Sequence, residues 1–123
     1  MAGLAVFQNK KHVRNFALKS PEVSIGRNPR RSLVLQDLTV SRRHAVMHFN
    51  ESGGYWTIVN ASAKNPVKIN GRAITDEEVV FDQDQISVGA CTLVFSEAPL
   101  QDSPEAQPAP KSQKFNEPTE QAL

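Results

Sequence analysis

A single cysteine, one tryptophan and one tyrosine are all that 123 residues contain of these types. The lone Cys91, in the run CTLVF, rules out an intramolecular disulfide framework and argues for a reducing compartment. No stretch approaches the eighteen or so consecutive apolar residues of a membrane span. In the opening MAGLAVFQNKKH the basic residues follow the apolar ones, the reverse of a secretory leader. Together these absences lead to the expectation of an intracellular protein, cytoplasmic or nuclear, with no membrane association. Absent too are a GxSxG elbow and any glycine-rich oxyanion turn, which weighs against hydrolysis.

What is present is enough for one domain with its own core: 39% of the residues are hydrophobic. The net charge of +1 conceals two unlike halves. Residues 1–50 carry nine Lys and Arg against two acids, whereas residues 51–123 carry five against eleven. The first half, at +7, implies a basic face that attracts anions.

From residue 97 onward the chain reads EAPLQDSPEAQPAPKSQKFNEPTEQAL, with five of the eight prolines and almost no bulky apolar residues. Such a composition buries too little surface to offset the entropy of ordering, so residues 1–96 are the expected domain and 97–123 a flexible tail or linker. Inside the domain the apolar residues recur with a period of two. GLAVF, VRNFALK, VSIG, LVLQ, AVMHF, YWTIV, PVKIN, QISVG and TLVF are short runs separated by turn formers such as NPRR, NESGG, NASAKN and FDQD. The pattern predicts an all-β, antiparallel β-sandwich. Trp56, alternating with Ile58, belongs to its core, and Asp76, Glu77 and Glu78 read as an exposed turn.

The densest chemistry lies in TVSRRH, residues 39–44. On a strand His44 and His48 share one face but stand roughly 13 Å apart, too far to hold one metal ion. Ser41 and His44 would need a turn between them and an orienting acid, for which Asp37 is the candidate, to act as a nucleophile and base. Neither a metal nor a cofactor is expected. Anion binding from a loop is the remaining reading. In SIGRNPRR, Gly26 is expected to adopt backbone angles closed to other residues so that Arg27 projects from a strand end. Ser41, Arg42 and Arg43 follow about fourteen residues later, and guanidinium groups with a hydroxyl suit a tetrahedral oxyanion.

Gly26-Arg27, Ser41-Arg42-Arg43-His44, Trp56-x-Ile58-x-Asn60, Asn65, Asn70-Gly71 and Asp84-x-Ile86-x-Val88-Gly89 resemble, in order and spacing, the forkhead-associated (FHA) domain over about residues 4–95. The resemblance implies about eleven strands whose loops bind phosphothreonine in an extended segment of a partner protein, without catalysis. It implies Arg27 and Ser41 as phosphate ligands, expected at the surface of the free domain, and Arg42 as a phosphate or peptide contact. By the same resemblance His44 is a structural residue bracing the loops, and Asn65 holds the peptide main chain. Asn70-Gly71 reads on its own chemistry as a type I′ hairpin turn, hence as fold.

Two positions depart from the family pattern. Pro66 stands where glycine usually follows the asparagine, which stiffens the loop, and Gln83 where glycine usually precedes the late aspartate. Lys64 could add a charge beside the phosphate. Arg30 and Arg31 could line the pocket for residues after the phosphothreonine and favour acidic ones. The alternative function is nucleic-acid binding through Lys10, Lys11, Arg14, Arg30, Arg31, Arg42 and Arg43. It lacks stacking aromatics, since Phe7 and Phe16 read as core. Thr119, the only threonine of the tail, would if phosphorylated occupy the chain's own site or dock a neighbouring molecule.

Overall fold

The computed structural model describes residues 2–98. The predicted tail from residue 99 on, with Thr119, lies outside the described residues. Eleven strands form: β1 Gly3–Gln8, β2 Lys11–Ala17, β3 Glu22–Gly26, β4 Leu33–Val34, β5 Ala45–Asn50, β6 Tyr55–Asn60, β7 Lys68–Ile69, β8 Arg72–Ala73, β9 Glu77–Val80, β10 Gln85–Val88 and β11 Cys91–Ser96. They assemble into a six-stranded sheet, β2-β1-β11-β10-β7-β8, and a five-stranded sheet, β4-β3-β5-β6-β9.

The alternation of the sequence becomes the two faces of these sheets. Leu4 and Val6 of β1, Ile86 and Val88 of β10, and Leu93 and Phe95 of β11 point inward from one sheet. Val23, Ile25, Ala45, Met47, Trp56 and Ile58 point inward from the other. Burying these side chains contributes on the order of 1.5–3 kcal/mol for each large one. The sandwich is therefore as predicted, with Trp56 in the core.

The pairing is antiparallel except between β3 and β4, which run parallel with Ile25 opposite Leu33 and Gly26 opposite Val34. That exception follows from the turn at residues 28–31, which brings the chain back alongside β3 without reversing it in the ladder. Glu77 and Glu78 are a correction: they open β9 rather than form a turn. Both carboxylates are paired: Glu77, on the outer face, accepts from Thr57 Oγ1 (2.7 Å), and Glu78, on the opposite face of the strand beside Ile58, accepts from both terminal nitrogens of Arg72 on β8 of the other sheet (2.6 and 2.7 Å). Strand β9 is thus an edge whose Glu78 is tied to β8, the edge of the other sheet. Phe7 is also less buried than expected. It meets His12 edge-on at 5.3 Å between centroids, while Phe16 packs against the core beneath Arg14.

The Asn70-Gly71 turn is as read. Both residues have positive φ (52° and 85°), and they join β7 to β8. Asn70 Nδ2 donates to Asp84 Oδ1 (2.9 Å) and Asn70 Oδ1 accepts from the Gln85 amide (3.0 Å), which ties the turn to β10. Strand β11 runs from the turn at Gly89 and Ala90 to Ser96, where it pairs with Gly3 at the start of β1.

Candidate functional site

Three connections gather at one end of the sandwich: residues 27–32 after β3, residues 35–44 before β5 and residues 61–67 after β6. The first two are laced together by main-chain bonds. The Arg27 amide donates to the Ser41 carbonyl (3.0 Å), the Asn28 amide to the Arg42 carbonyl (3.3 Å) and the His44 amide to the Ile25 carbonyl (2.9 Å). Gly26 makes this lacing possible, but not through unusual backbone angles, since its φ is not positive. A Cβ at Gly26 would collide with the Arg42 carbonyl oxygen, so the residue is needed for space.

Arg27 is half-buried rather than free at the surface. Its Nε donates to the Val40 carbonyl (3.0 Å), which fixes the guanidinium plane and leaves the two terminal nitrogens for a ligand. Ser41 is also half-buried, its hydroxyl paired with Ser62 Oγ at 2.8 Å.

His44 is completely buried, 0% exposed, and links the second connection to the third. Its Nδ1 accepts from the Ser41 amide (2.9 Å), which forces the proton onto Nε2, and Nε2–H donates to the Asn65 carbonyl (2.6 Å). The ring is therefore neutral. Burial pushes its pKa below the ordinary value, against an upward pull from the Asn65 carbonyl. These bonds dispose of the nucleophile reading, because His44 meets the amide of Ser41 and not its hydroxyl. Asp37, the candidate acid, instead caps its own loop by accepting from the amide (2.8 Å) and hydroxyl (2.5 Å) of Thr39. Nor do His44 and His48 share a face: His44 lies before β5 under the loops, whereas His48 is exposed on the strand, 3.7 Å from Glu22.

Four contributors had no role assigned from the sequence, although Thr39, Asn60 and Gly89 lie in the quoted motifs. Ser62, buried, accepts from the Asn65 amide through Oγ (3.1 Å) while pairing with Ser41. Asn60 Oδ1 accepts from the amides of Ser62 (3.3 Å) and Val67 (3.1 Å), closing the third connection on itself. Thr39 accepts Asn65 Nδ2 at its carbonyl (3.0 Å) and the Ala90 amide at its hydroxyl (2.7 Å). Gly89 lies against it, where a Cβ would come within 2.5 Å of Thr39 Oγ1. For Ser62 the only advance signal was the density of Ser and Asn in NASAKN. Thr39, Asn65, Pro66, Gly89 and Ala90 then line a cleft of about 490 Å³ beside the Arg27–Ser41 corner.

Arg30 and Arg31 lie on the first connection, Arg42 and Arg43 on the second and Lys64 on the third, and among the described residues none of these cations, nor Arg27, forms an ion pair. Unpaired cations on a braced loop cluster make a seat for an anion. A second depression of about 510 Å³ contrasts with it. Its lining has the aromatic residues Phe49, Tyr55 and Trp56, but Lys19 is offset by Glu51 and Glu97, so it offers no net positive charge to a phosphate.

Comparison with known proteins agrees with this geometry. The family model for the FHA domain matches residues 23–89. The chain is 37% identical over 87 residues to the glycogen accumulation regulator GarA of Mycolicibacterium smegmatis, covering 71% of this chain and 53% of that one. It is 36% identical over 84 residues to the oxoglutarate dehydrogenase inhibitor of Corynebacterium diphtheriae, covering 68% and 57%. The chain thus spans about half the length of these relatives. Among solved structures it is similar in fold to the FHA domain of CT664 from Chlamydia trachomatis (TM-score 0.71, 22% identity, 78% and 96% covered). A second likeness is to Mycobacterium tuberculosis EmbR in complex with a low affinity phosphopeptide (TM-score 0.70, 23% identity, 81% and 25% covered). Since the matched stretch runs from β3 to Gly89 and so contains all three laced connections, the chain belongs to the FHA domain family.

Proposed function

We propose that residues 1–96 act as a non-catalytic, phosphothreonine-dependent interaction module, holding an extended segment of a partner protein against the loops at one end of the sandwich. The observation that carries this reading is the Arg27–Ser41 corner. A guanidinium tied through Nε to the Val40 carbonyl keeps its two terminal nitrogens, the main chain of Arg27 is bonded to that of Ser41, and the neighbouring loops carry cations that form no ion pair with a described residue. A phosphate dianion would accept charge-assisted bonds from both, worth about 1.5–3 kcal/mol each. Arg42 adds charge from the same loop, and Lys64 from the third connection.

Asn65 already spends one N–H on Thr39, so its Oδ1 and remaining N–H are what it offers to a peptide main chain. His44 positions these groups and touches no ligand. The relatives named above are a regulator and an inhibitor, and we read this chain likewise as a binding partner that regulates by occupancy. Nucleic-acid binding gains no support from the surface: in the basic half Phe16 is covered by Arg14, Phe7 is engaged by His12, and Phe49 lines the depression flanked by Glu51 and Glu97.

The test is affinity for matched peptides. Threonine's methyl group in a fitted notch is worth about 1–3 kcal/mol, so phosphothreonine should bind at least about tenfold tighter than phosphoserine. Aspartate and glutamate substitutes should fail, having one charge and two oxygens. Equal binding of the phosphothreonine and phosphoserine peptides rejects the reading. Under the same proposal, phosphorylated Thr119 occupies this site in its own or a neighbouring chain. A Thr119-phosphorylated protein that binds peptide as tightly as the unphosphorylated one, with no concentration-dependent association, rejects that extension.

A further inference from the structure

The second depression, of about 510 Å³, lies at the end of the sandwich away from the three laced connections. Its size is within the range of ligand pockets, about 300–1,000 Å³. Leu18 and Trp56, both buried, form its base with Phe49, whose ring centroid is 5.4 Å from that of Trp56. Tyr55 is a fixed wall. Asn50 Nδ2 donates to its hydroxyl (3.1 Å), and its ring lies over Gly53, where a Cβ would collide with it. The Gly53 amide donates to Asn50 Oδ1 (2.8 Å) and the Gly54 amide to the Asn50 carbonyl (2.7 Å), so the turn that carries this wall is itself closed. The depression is thus preformed, and it is open at Gly54, where a Cβ would meet nothing within 4 Å.

Glu51 and Glu97 stand on the rim with a single cation, Lys19, and among the described residues neither carboxylate forms an ion pair. An aromatic base under an acidic rim suits an aromatic side chain flanked by cations. Glu97 is also where the chain leaves the fold: its amide donates to Asp82 Oδ1 (2.8 Å) just after β11 ends, so the following residues start at the mouth of the depression. Beyond residue 98 the sequence has one aromatic residue, Phe115, and two cations, Lys111 and Lys114, and all three fall in the stretch KSQKF. The thirteen residues 98–110 span at most about 45 Å, enough for this stretch to turn back to the mouth. A tether of that length supplies an effective concentration on the order of millimolar, so a modest contact is well populated.

We propose that residues 111–115 of this same chain dock in the depression, with Phe115 against Phe49, Tyr55 and Trp56 and with Lys111 and Lys114 facing Glu51 and Glu97. This goes beyond the phosphothreonine reading and does not depend on it. Leu100 is the competing apolar residue, but it lies beside Asp102 and far from any cation, so the acidic rim disfavours it.

The experiment places a nitroxide on the full chain through Ser112→Cys. Cys91 is completely buried, so the label goes to position 112. The label should remove at least about half of the NMR intensity of Gly54, Tyr55 and Trp56, as for a tethered contact whose dissociation constant is near the effective concentration. Arg27 and Ser41 should keep theirs. Phe115→Ser should restore the lost intensity with the melting temperature unchanged, whereas Leu100→Ser should restore none. Lys111→Glu with Lys114→Glu should restore it in part, and adding Glu51→Lys and Glu97→Lys should bring the broadening back. The proposal is overturned if no broadening occurs, if it falls on the recognition loops, if it survives Phe115→Ser, or if Leu100→Ser abolishes it. Failure of the charge swap overturns it as well. So does broadening seen when a labelled chain is mixed with an unlabelled, isotope-enriched one, since the occupant is then a second copy's tail.

Discussion

Arg27 and His44 are joined through Ser41, one by its main-chain carbonyl and the other by its amide, yet they should fail in different ways. Arg27→Ala removes the ligand's guanidinium and also the bond to Val40. Peptide affinity should drop by at least about 2 kcal/mol, with a stability loss of about 0.5–1.5 kcal/mol because the side chain is half-buried. Ser41→Ala should cost about 1 kcal/mol of affinity, and little stability, since Ser62 Oγ keeps the Asn65 amide. His44→Ala instead leaves the Ser41 amide and the Asn65 carbonyl unpaired in the interior, so the melting temperature falls and binding follows it. Acid should act on the same residue. The unfolded chain takes up a proton on this histidine near pH 6.5, whereas the folded site resists it because of burial. Stability from this source is therefore complete above about pH 6.5 and declines as pH falls toward the lower folded value. Ring NMR should find Nε2 protonated at neutral pH, and an imidazole that titrates above its ordinary value contradicts the assignment.

At the level of elements, the runs that alternate strongly in sequence are the ones that became long strands, because a half-buried ladder imposes that period. Strand β8, of two residues, was implied only by the hairpin turn before it, and β9, which begins with two glutamates, was not legible. Their pairing is decided by neighbours, Lys68 opposite Ala73 and Trp56 opposite Val80, and not by their own composition. The site was legible only in part for a similar reason. Arg27, Ser41 and His44 announce themselves as GR and SRRH, whereas Thr39 and Ser62 act through partners 51 and 21 residues away. The departure at Gln83 has a measurable consequence here. Its φ of 71° is in the left-handed region, which costs a side-chain-bearing residue about 1–2 kcal/mol. Gln83→Gly should raise stability by about 0.5–1 kcal/mol once the extra freedom of the unfolded glycine is subtracted, with peptide affinity unaffected. An unchanged or lower melting temperature would show that the turn between β9 and β10 carries no such strain.

For the molecule as a whole, the segregation of charge becomes a directional field. The cations of residues 27–64 crowd one end, while Glu51 and Glu97 border the depression lined by Trp56. Association with a phosphorylated partner should accordingly slow as salt rises, with dissociation little altered. A loss of several orders of magnitude in affinity between low and moderate salt is the behaviour of a contact through many phosphates, and would revive the nucleic-acid alternative. The ladder of β1 and β11 adds a consequence of another kind. Gly3 stands opposite Ser96 while the Gly89–Ala90 turn at the start of β11 buttresses Thr39, so both ends of the domain leave together, roughly 20 Å of strand away from the binding loops. Such a unit behaves as a cassette: joining residues 2 and 98 by a short linker and reopening the chain in the exposed β5–β6 turn should give a circular permutant that still binds. The same layout lets the domain be spliced into a loop of an unrelated host with its recognition end facing outward.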